Sequence, residues 1–450
     1  MTDGAAGRGW RARVGFDAPV DIAWLAAFRV LFGLTLAVSM ARFIAYGWID
    51  EFFTRPTFHF KYWGFAWVEV LPPEAMHALF WALGGLSLMV AAGLLFRVSA
   101  LLLVVGFTYL QLIDVTTYLN HYYLASLLAL LLACSPAHRA WSLDARLRPA
   151  IRRDRVAGYV HLLFRFQVGV VYTYAGLAKA HGDWLLHAQP LRIWLSSHTD
   201  MPVLGPLFTY EWTAILMSWG GFLFDTSVPW FLLWKRTRPY AYAVLVVFHL
   251  MVGKLFPIGM FPIIMMVAAT VFFAADWPRW RKATLHADVQ PMPRFALPLL
   301  GVYCAVQLLL PMRFLAYGGD VRWHEQGMRF SWRVMVREKN GSVEYLVRSK
   351  QTGHRWQVSP RRYLTFVQER ELSGQPDLIL QLAHHVAHDF AQRGLGPVEV
   401  RVDAQASLNG RPSAPLIDPN VDLTTVEDGV TQASWILPAP AQAPPPLRPI

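Results

Sequence analysis

The chain is short of charge and nearly free of cysteine. Only 16% of its 450 residues are Asp, Glu, Lys or Arg, against about a quarter in a soluble protein. Hydrophobic residues make up 55% and the mean hydropathy is +0.32. That balance excludes a disordered chain and argues against a purely cytosolic enzyme. Two cysteines exclude a cysteine-rich metal cluster and a disulfide scaffold. Cys134 and Cys304 fall in different apolar runs and read as core thiols. Familiar catalytic signatures are also missing: no glycine-rich dinucleotide turn after a strand, no Gly-Lys-Ser/Thr phosphate loop and no Gly-x-Ser-x-Gly elbow. His384-His385-x-x-His388 has metal-like spacing but lacks the glutamate of the zinc-protease pattern, so it reads as one face of a solvated helix.

What the chain has instead is a series of apolar runs of helix length. Nine can be bracketed at roughly 22–46, 76–95, 98–114, 120–137, 156–178, 212–234, 239–253, 257–275 and 295–312. Several approach the roughly 20 residues needed to cross hydrocarbon. The first is too long for a signal-peptide core and lacks a clean cleavage site, so it reads as an uncleaved anchor. The expected fold is therefore a polytopic α-helical membrane protein of about nine spans over residues 1–312, followed by an extracytoplasmic, mostly β domain over 313–437. In that domain Phe330–Val336 and Glu344–Arg348 alternate like strands, Asn340-Gly341 reads as a hairpin turn, and Pro376–Arg393 has helical spacing. A proline-rich tail fills 438–450.

The net charge of +11 resolves once the runs are threaded through a bilayer with the N-terminus inside. Seventeen basic residues then face the cytoplasm, among them Arg8, Arg11, Arg13, Arg97, Arg139, Arg153, Arg279, Arg281, Lys282 and Arg294. Only Arg55, Lys61, Lys179, Arg192 and Lys254 occupy outer loops. This is the positive-inside asymmetry, and the C-terminal domain is nearly charge-balanced, so the basic excess reports topology and anionic lipid, not nucleic acid.

Ionisable groups inside spans are costly, and each has a bland and a functional reading. Arg29 and Arg42 lie near the ends of the first run and read as snorkelling side chains. Arg165 and Asp225, nearer the middle of the fifth and sixth, are expected to pair and hold two helices together. Lys179, at the outer end of the fifth run, is either a snorkelling anchor or a general base whose amine is freed by burial. Asp183, one helical turn on, would oppose that by favouring the ammonium. Asn120, His121 and His249 fall at the same outer level, and Phe256-Pro-Ile-Gly259-Met260-Phe261 opens the eighth run there. Such a convergence suits a lipid-soluble substrate from the bilayer and a polar one from outside.

At these residues the sequence resembles the vitamin K-dependent γ-glutamyl carboxylase family, within the wider HTTM-domain membrane proteins. The likeness runs over about residues 22–437. It is carried by Ala26-Ala-Phe-Arg29-Val-Leu-Phe-Gly33, Asn120-His121-Tyr, Trp141-Ser-Leu-Asp144 and Arg165-x-Gln167. It continues in Val171-Tyr172-x-x-Ala175-Gly176-x-x-Lys179-x-x-x-Asp183-Trp184, Gly221-x-x-x-Asp225, His249, Phe256-x-Ile-Gly-Met-Phe261 and Asp276-Trp277-Pro278. In the outer domain, Gly327-Met-Arg-Phe-Ser331-Trp332-x-x-Met335-Val336 and Asp418-Pro419-x-Val421-Asp422 also fit.

The resemblance implies an integral membrane enzyme that couples two reactions. A vitamin K or menaquinone hydroquinone is oxidised by O2 to its epoxide, and the oxygenated intermediate removes a γ-proton from a protein glutamate, which then takes up CO2. The family's base matches Lys179. Its histidine beside the glutamate carbanion matches His121, with Asn120 next to it. His249, Phe256, Gly259, Met260 and Phe261 become candidate quinone-binding residues, and no metal is required. Two departures stand out: Cys134 and Cys304 do not sit where the animal members' interdomain disulfide forms, and the outer domain is shorter. The compact loops and the Arg/Ala/Pro-rich composition point to a bacterial inner-membrane protein, with an unidentified glutamate-containing partner. The alternatives are a quinol epoxidase without carboxylation and a non-catalytic lipid- or quinone-binding membrane protein.

Overall fold

A computed structural model describes residues 15–280, 292 and 296–446. Arg8, Arg11, Arg13, Arg281, Lys282 and Arg294 of the charge map lie outside the described residues, as does the end of the proline-rich tail.

Each of the nine apolar runs contains a helix: α1 Ala23–Ala45, α2 Pro73–Ala92, α3 Phe96–Ile113, α4 Asn120–Cys134 and α5 Gly158–Leu177, then α6 Glu211–Leu233, α7 Arg238–Leu255, α8 Phe261–Ala269 and α9 Ala296–Leu309. Among the described residues, four helices are long and apolar enough to cross a membrane by length and composition: α1, α2, α3 and Ala296–Ala316, which is α9 with its 3-10 continuation. The expected nine spans are thus nine helices of unequal reach. Helix α8 is the shortest: its nine residues rise about 14 Å, and a 3-10 turn at Thr270–Phe272 extends it.

Local chemistry explains how the helices start, stop and approach. Pro73 opens α2, where its missing N–H costs nothing. Gly93 ends α2 in the left-handed region (φ +65°), where a Cβ would meet Ser142 at 2.4 Å and the Arg29 guanidinium at 2.5 Å. Asp144 then caps α3, accepting from the N–H groups of Leu95 and Phe96 at 2.9 Å each. Gly33 lets α1 meet α2 backbone to backbone, since a Cβ there would lie 2.7 Å from the Ser87 carbonyl.

Two charged residues depart from expectation. Arg29 does not snorkel: it is fully buried and donates to the carbonyls of Ala137, Ala140 and Trp141. Arg165 does not pair with Asp225. It donates to the carbonyls of Val271, Phe272 and Phe273 at 2.8–3.1 Å, satisfying acceptors that the end of α8 leaves open. The cause is depth: Arg165 lies about two turns into α5, whereas Asp225 meets the group just beyond its end, roughly 21 Å away at 1.5 Å per residue. Nor are the cysteines core thiols, because Cys134 is exposed and Cys304 half-buried.

At the bundle end holding Arg165, strand β1 (Pro19–Asp21) pairs antiparallel with β2 (Arg155–Ala157), and Asp21 takes both bonds of Arg279 at 2.5 and 2.9 Å. The opposite end carries the soluble domain, a four-stranded antiparallel sheet of order β4-β3-β5-β6, built from β3 (Lys339–Ser349), β4 (Arg355–Val358), β5 (Val398–Leu408) and β6 (Ala414–Pro415). Alternate β5 residues from Val398 to Leu408 are buried. Helix α10 (Pro376–Gln392) covers this face, its Ile379 carbonyl accepting from the Tyr345 hydroxyl. A seven-residue helix, Phe366–Leu372, joins it, so the domain is mixed α and β, not mostly β with one helix.

Two readings of this domain fail for definite reasons. Asn340-Gly341 is no turn but lies inside β3, opposite Ser407 and Ala406. Glycine is needed there because a Cβ would sit 2.5 Å from the Gln405 carbonyl oxygen and 2.6 Å from that of Ser373. Phe330–Val336 is no strand either: Phe330, Trp332 and Met335 have φ near +60°, +59° and +52°. This segment is an irregular strap laid on the bundle, with Trp332 stacked on Tyr123 of α4. Of the histidine trio, His384 bonds the Leu423 carbonyl and His385 packs on Phe58.

Candidate functional site

Helix α5 stops at Leu177, and Lys179 follows in the turn toward the soluble domain. Gly176 sets what happens next. A Cβ there would lie 2.5 Å from Thr226 Cγ2 and 2.8 Å from the Thr226 backbone nitrogen, so only glycine allows α5 this close to α6. That approach brings Lys179 Nζ to 2.8 Å from Asp225 Oδ2, with both side chains buried. Lys179 also donates to the Ala175 carbonyl at 3.1 Å and sits 5.3 Å from the Trp184 ring. Two of the three ammonium N–H donors are thereby used. Trp184 is itself pinned, its indole N–H donating to the Ser218 carbonyl at 2.8 Å and its own carbonyl accepting from the Ser218 hydroxyl.

Lys179 and Asp225 line a cavity of about 270 Å³ between α5, α6 and α7. Its walls are otherwise apolar and aromatic, with Phe224, Phe248, Phe256 and Phe261 contributing, and Val334 and Met335 of the strap close one side. His249 also lines it. Its Nε2 is 2.8 Å from the Tyr172 hydroxyl, while Nδ1 is buried without a partner. Gly220 on α6 and Val244 on α7 line the cavity too and are exposed on the outside of the bundle, so it opens laterally between those two helices.

The sequence-predicted residues divide. Lys179, His249, Phe256 and Phe261 share the cavity with Asp225. Gly259 and Met260 do not line it: Gly259 makes the turn before α8 (φ +61°), and Met260 packs in the core at 2% exposure. His121 stands behind Phe261, whose ring centroid is 5.9 Å from His121 and 5.4 Å from His249. His121 Nε2 is buried and unpartnered. Asn120 faces the strap, its Oδ1 accepting from the Tyr118 hydroxyl at 3.0 Å, which in turn accepts from the Phe330 N–H. Arg42, in the last turn of α1, is half-buried and lies over the Tyr46 and Trp48 rings.

Asp183 does not compete for Lys179. Both its oxygens are taken by Arg411, at 2.7 Å each, with Asn409 at 2.8 Å and Arg322 at 3.2 Å. Burial pushes the Asp183 carboxyl up, but the bonds from Arg411 and Asn409 and the Arg322 charge outweigh it and hold it at about 2. Neighbouring His181 is lowered to about 4, first by burial and then by the Arg322 charge. Arg411 was not among the residues the sequence singled out. The one available signal is Asn409-Gly410, a pair that turns the chain at φ +53° and +79° directly after β5 and presents Arg411.

These features define a polytopic helical membrane protein with a buried lysine–carboxylate pair in a laterally open apolar cavity, and a soluble domain docked over it. Residues 17–277 match the HTTM domain model, and residues 292–442 match the model of the vitamin K-dependent gamma-carboxylase lumenal domain. The chain belongs to the vitamin K-dependent γ-carboxylase family. No solved structure matches it.

Proposed function

We propose that this protein is a γ-carboxylase-type membrane enzyme that oxidises a vitamin K or menaquinone hydroquinone with O2 to its epoxide and couples this to carboxylation of glutamate in a partner protein. The observation that carries the reading is the Lys179–Asp225 pair in an apolar cavity open between α6 and α7. At about 270 Å³ the cavity is near the lower limit of about 300 Å³ for small-molecule sites. It suits a ring headgroup whose isoprenoid tail leaves through the lateral opening into lipid. The unpartnered His249 Nδ1 offers a bond to a ring oxygen.

A bound quinol supplies electrons for O2 and, through its oxidation, the driving force for removing a glutamate γ-proton. The chain supplies the first proton transfer. Passing one Lys179 proton to Asp225 Oδ2, 2.8 Å away, leaves a neutral amine and a neutral acid with no change in net buried charge. The amine can then accept a hydroxyl proton from the quinol. Phe224, Phe248 and Phe261 keep water from the site. His121, across Phe261, serves the glutamate side with Asn120. In this reading the bundle crosses a bacterial inner membrane about nine times with its N-terminus cytoplasmic, and the soluble domain faces the periplasm. The support is Arg155 on β2 and Arg279 on Asp21, both at the end opposite that domain.

A second reading, quinol epoxidation without carboxylation, draws support from Phe261, which separates His121 from the cavity. Purified protein given reduced vitamin K, O2, labelled bicarbonate and a glutamate peptide distinguishes them. Epoxide with fixed label supports coupling, and epoxide alone supports the second reading. Quinone binding with neither product would overturn both in favour of a non-catalytic quinone-binding protein.

A further inference from the structure

A second cavity, of about 550 Å³, lies where the ends of α3 and α9 meet the soluble domain. That volume is within the range of about 300–1,000 Å³ typical of ligand sites. The strap reaches both cavities, Phe330 lining this one and Val334 and Met335 the one that holds Lys179. On the membrane side the wall is apolar: Leu112 in the last turn of α3 and Leu310 just past α9, each on an element able to span a bilayer. Leu309 and Leu315 are each 65% exposed, so this end of α9 presents apolar surface to lipid. Trp63 and Phe65, which also line the cavity, are exposed aromatics of the kind found at a membrane–water interface.

The charges in this cavity are only partly matched. Arg329 forks onto Asp377 and bonds Gln375, Glu325 meets Arg337 and Lys339, and Lys61 donates to the Val68 carbonyl. Arg313, three residues beyond Leu310 and half-buried, has no hydrogen bond or ion pair among the described residues; its guanidinium lies 5.8 Å from the Phe330 ring centroid. On the soluble domain, Glu427 and Asp428 line the same cavity, are exposed, and form no ion pair among the described residues. Arg329 is near both sets, since its charge is felt at Arg313 and at Asp428. Burial and then the Asp377 charge push the Asp428 carboxyl up even so, as for an anion short of countercharge. From the membrane outward the cavity thus offers an apolar wall, an unpaired guanidinium at the end of a span, and unpaired carboxylates on the soluble domain. A phospholipid with a primary amine has the complementary order: acyl chains, phosphate, ammonium. We propose that this cavity binds the headgroup of such an aminophospholipid, its phosphate on Arg313 and its ammonium at Glu427 and Asp428. A guanidinium fork matches phosphate oxygens, and a primary ammonium brings three donors to the two carboxylates. A choline headgroup brings no N–H donor and a glycerol headgroup no cation, so the two acids select against both. The bound headgroup lies against Phe330, joining α9, strap and soluble domain at the membrane surface. The site is separate from the Lys179 cavity and does not rest on the function proposed above.

The test reconstitutes the full chain in nanodiscs holding equal parts of phosphatidylethanolamine, phosphatidylcholine and phosphatidylglycerol with the same acyl chains. The protein is then released into mild detergent, and the lipid it retains is counted by native mass spectrometry. The wild type is expected to retain phosphatidylethanolamine over the other two by about tenfold, and Arg313→Gln to lose about tenfold of that retention. The double variant Glu427→Gln/Asp428→Asn should still retain lipid but lose the preference for phosphatidylethanolamine over phosphatidylglycerol. Equal retention of the three lipids by the wild type, unchanged retention in Arg313→Gln, or a preference that survives the double variant overturns the proposal. So does displacement of every lipid alike by a glutamate-containing peptide, which would make the cavity a peptide site. If Arg313→Gln does not fold, the double variant decides alone, because Glu427 and Asp428 are exposed: loss of the preference supports the site and its persistence overturns it.

Discussion

Helix α5 carries a basic group near each end, and the two ends use it in opposite ways. Near its start, Arg165 and His161 donate into the carbonyls of residues 271–273 that close α8. Neither residue lines the Lys179 cavity, and the groups act as helix-to-helix ties. Past its end, Lys179 keeps a donor beyond its bonds to Asp225 and Ala175, and His249 keeps an unpartnered ring nitrogen, both around an apolar cavity. Buried polar groups that are satisfied hold a fold together; those left short of partners beside a cavity are available to a ligand.

Breaking each end should therefore give different losses. The largest effect on stability is expected from Asp225→Asn, which strands a buried ammonium and should cost about 3–5 kcal/mol. It would be seen as a lowered unfolding midpoint in nanodiscs together with loss of quinol oxidation. Arg165→Gln removes charged donors from three carbonyls and should cost about 3 kcal/mol, but it should leave the KM for quinol unchanged in the folded fraction. A large KM change would show that the two ends are not separable. Gly176→Val should cost about 2 kcal/mol by overpacking α5 against α6 and should weaken activity more than Arg165→Gln does, because it parts Lys179 from Asp225.

The smallest effect is expected from acid. His181 is lowered from 6.5 to about 4, so its contribution to stability is complete above about pH 6.5 and is lost as pH falls toward 4. Asp183 is lowered from 3.8 to about 2, so its contribution persists above about 3.8 and is lost between there and 2. Hydrogen exchange in the 181–187 segment should rise in those two windows, and Asp183→Asn should abolish the lower one.

How much of this was legible in the sequence follows from what each residue reports. Apolar runs mark helices because burial in lipid or core demands them, and all nine brackets contain one. Lys179, His249, Phe256 and Phe261 were found together because helix direction sets depth. Pairing was not legible: two charges in neighbouring helices carry no record of height, so Arg165 was matched to Asp225 when Asp225 belongs with Lys179. Gly176, three residues before Lys179, is where α5 meets α6 too closely for a Cβ, one residue from Asp225 at Thr226. The soluble domain was read less well. Alternation across Phe330–Val336 suggested a strand, but three residues there take left-handed backbone to reach α4 and the cavity. Asn340-Gly341 looked like a turn because its glycine was needed for a neighbouring backbone instead.

The central claim is that Lys179, in its cavity, starts quinol oxidation. It is tested most directly by comparing quinol consumption of Lys179→Ala and Arg165→Lys with the wild type, at equal amounts of folded protein in nanodiscs. A general base is worth about 10²–10⁴-fold, so Lys179→Ala should lose at least about 100-fold while Arg165→Lys stays within about threefold. Full consumption by Lys179→Ala, or equal loss in both variants, would contradict the account.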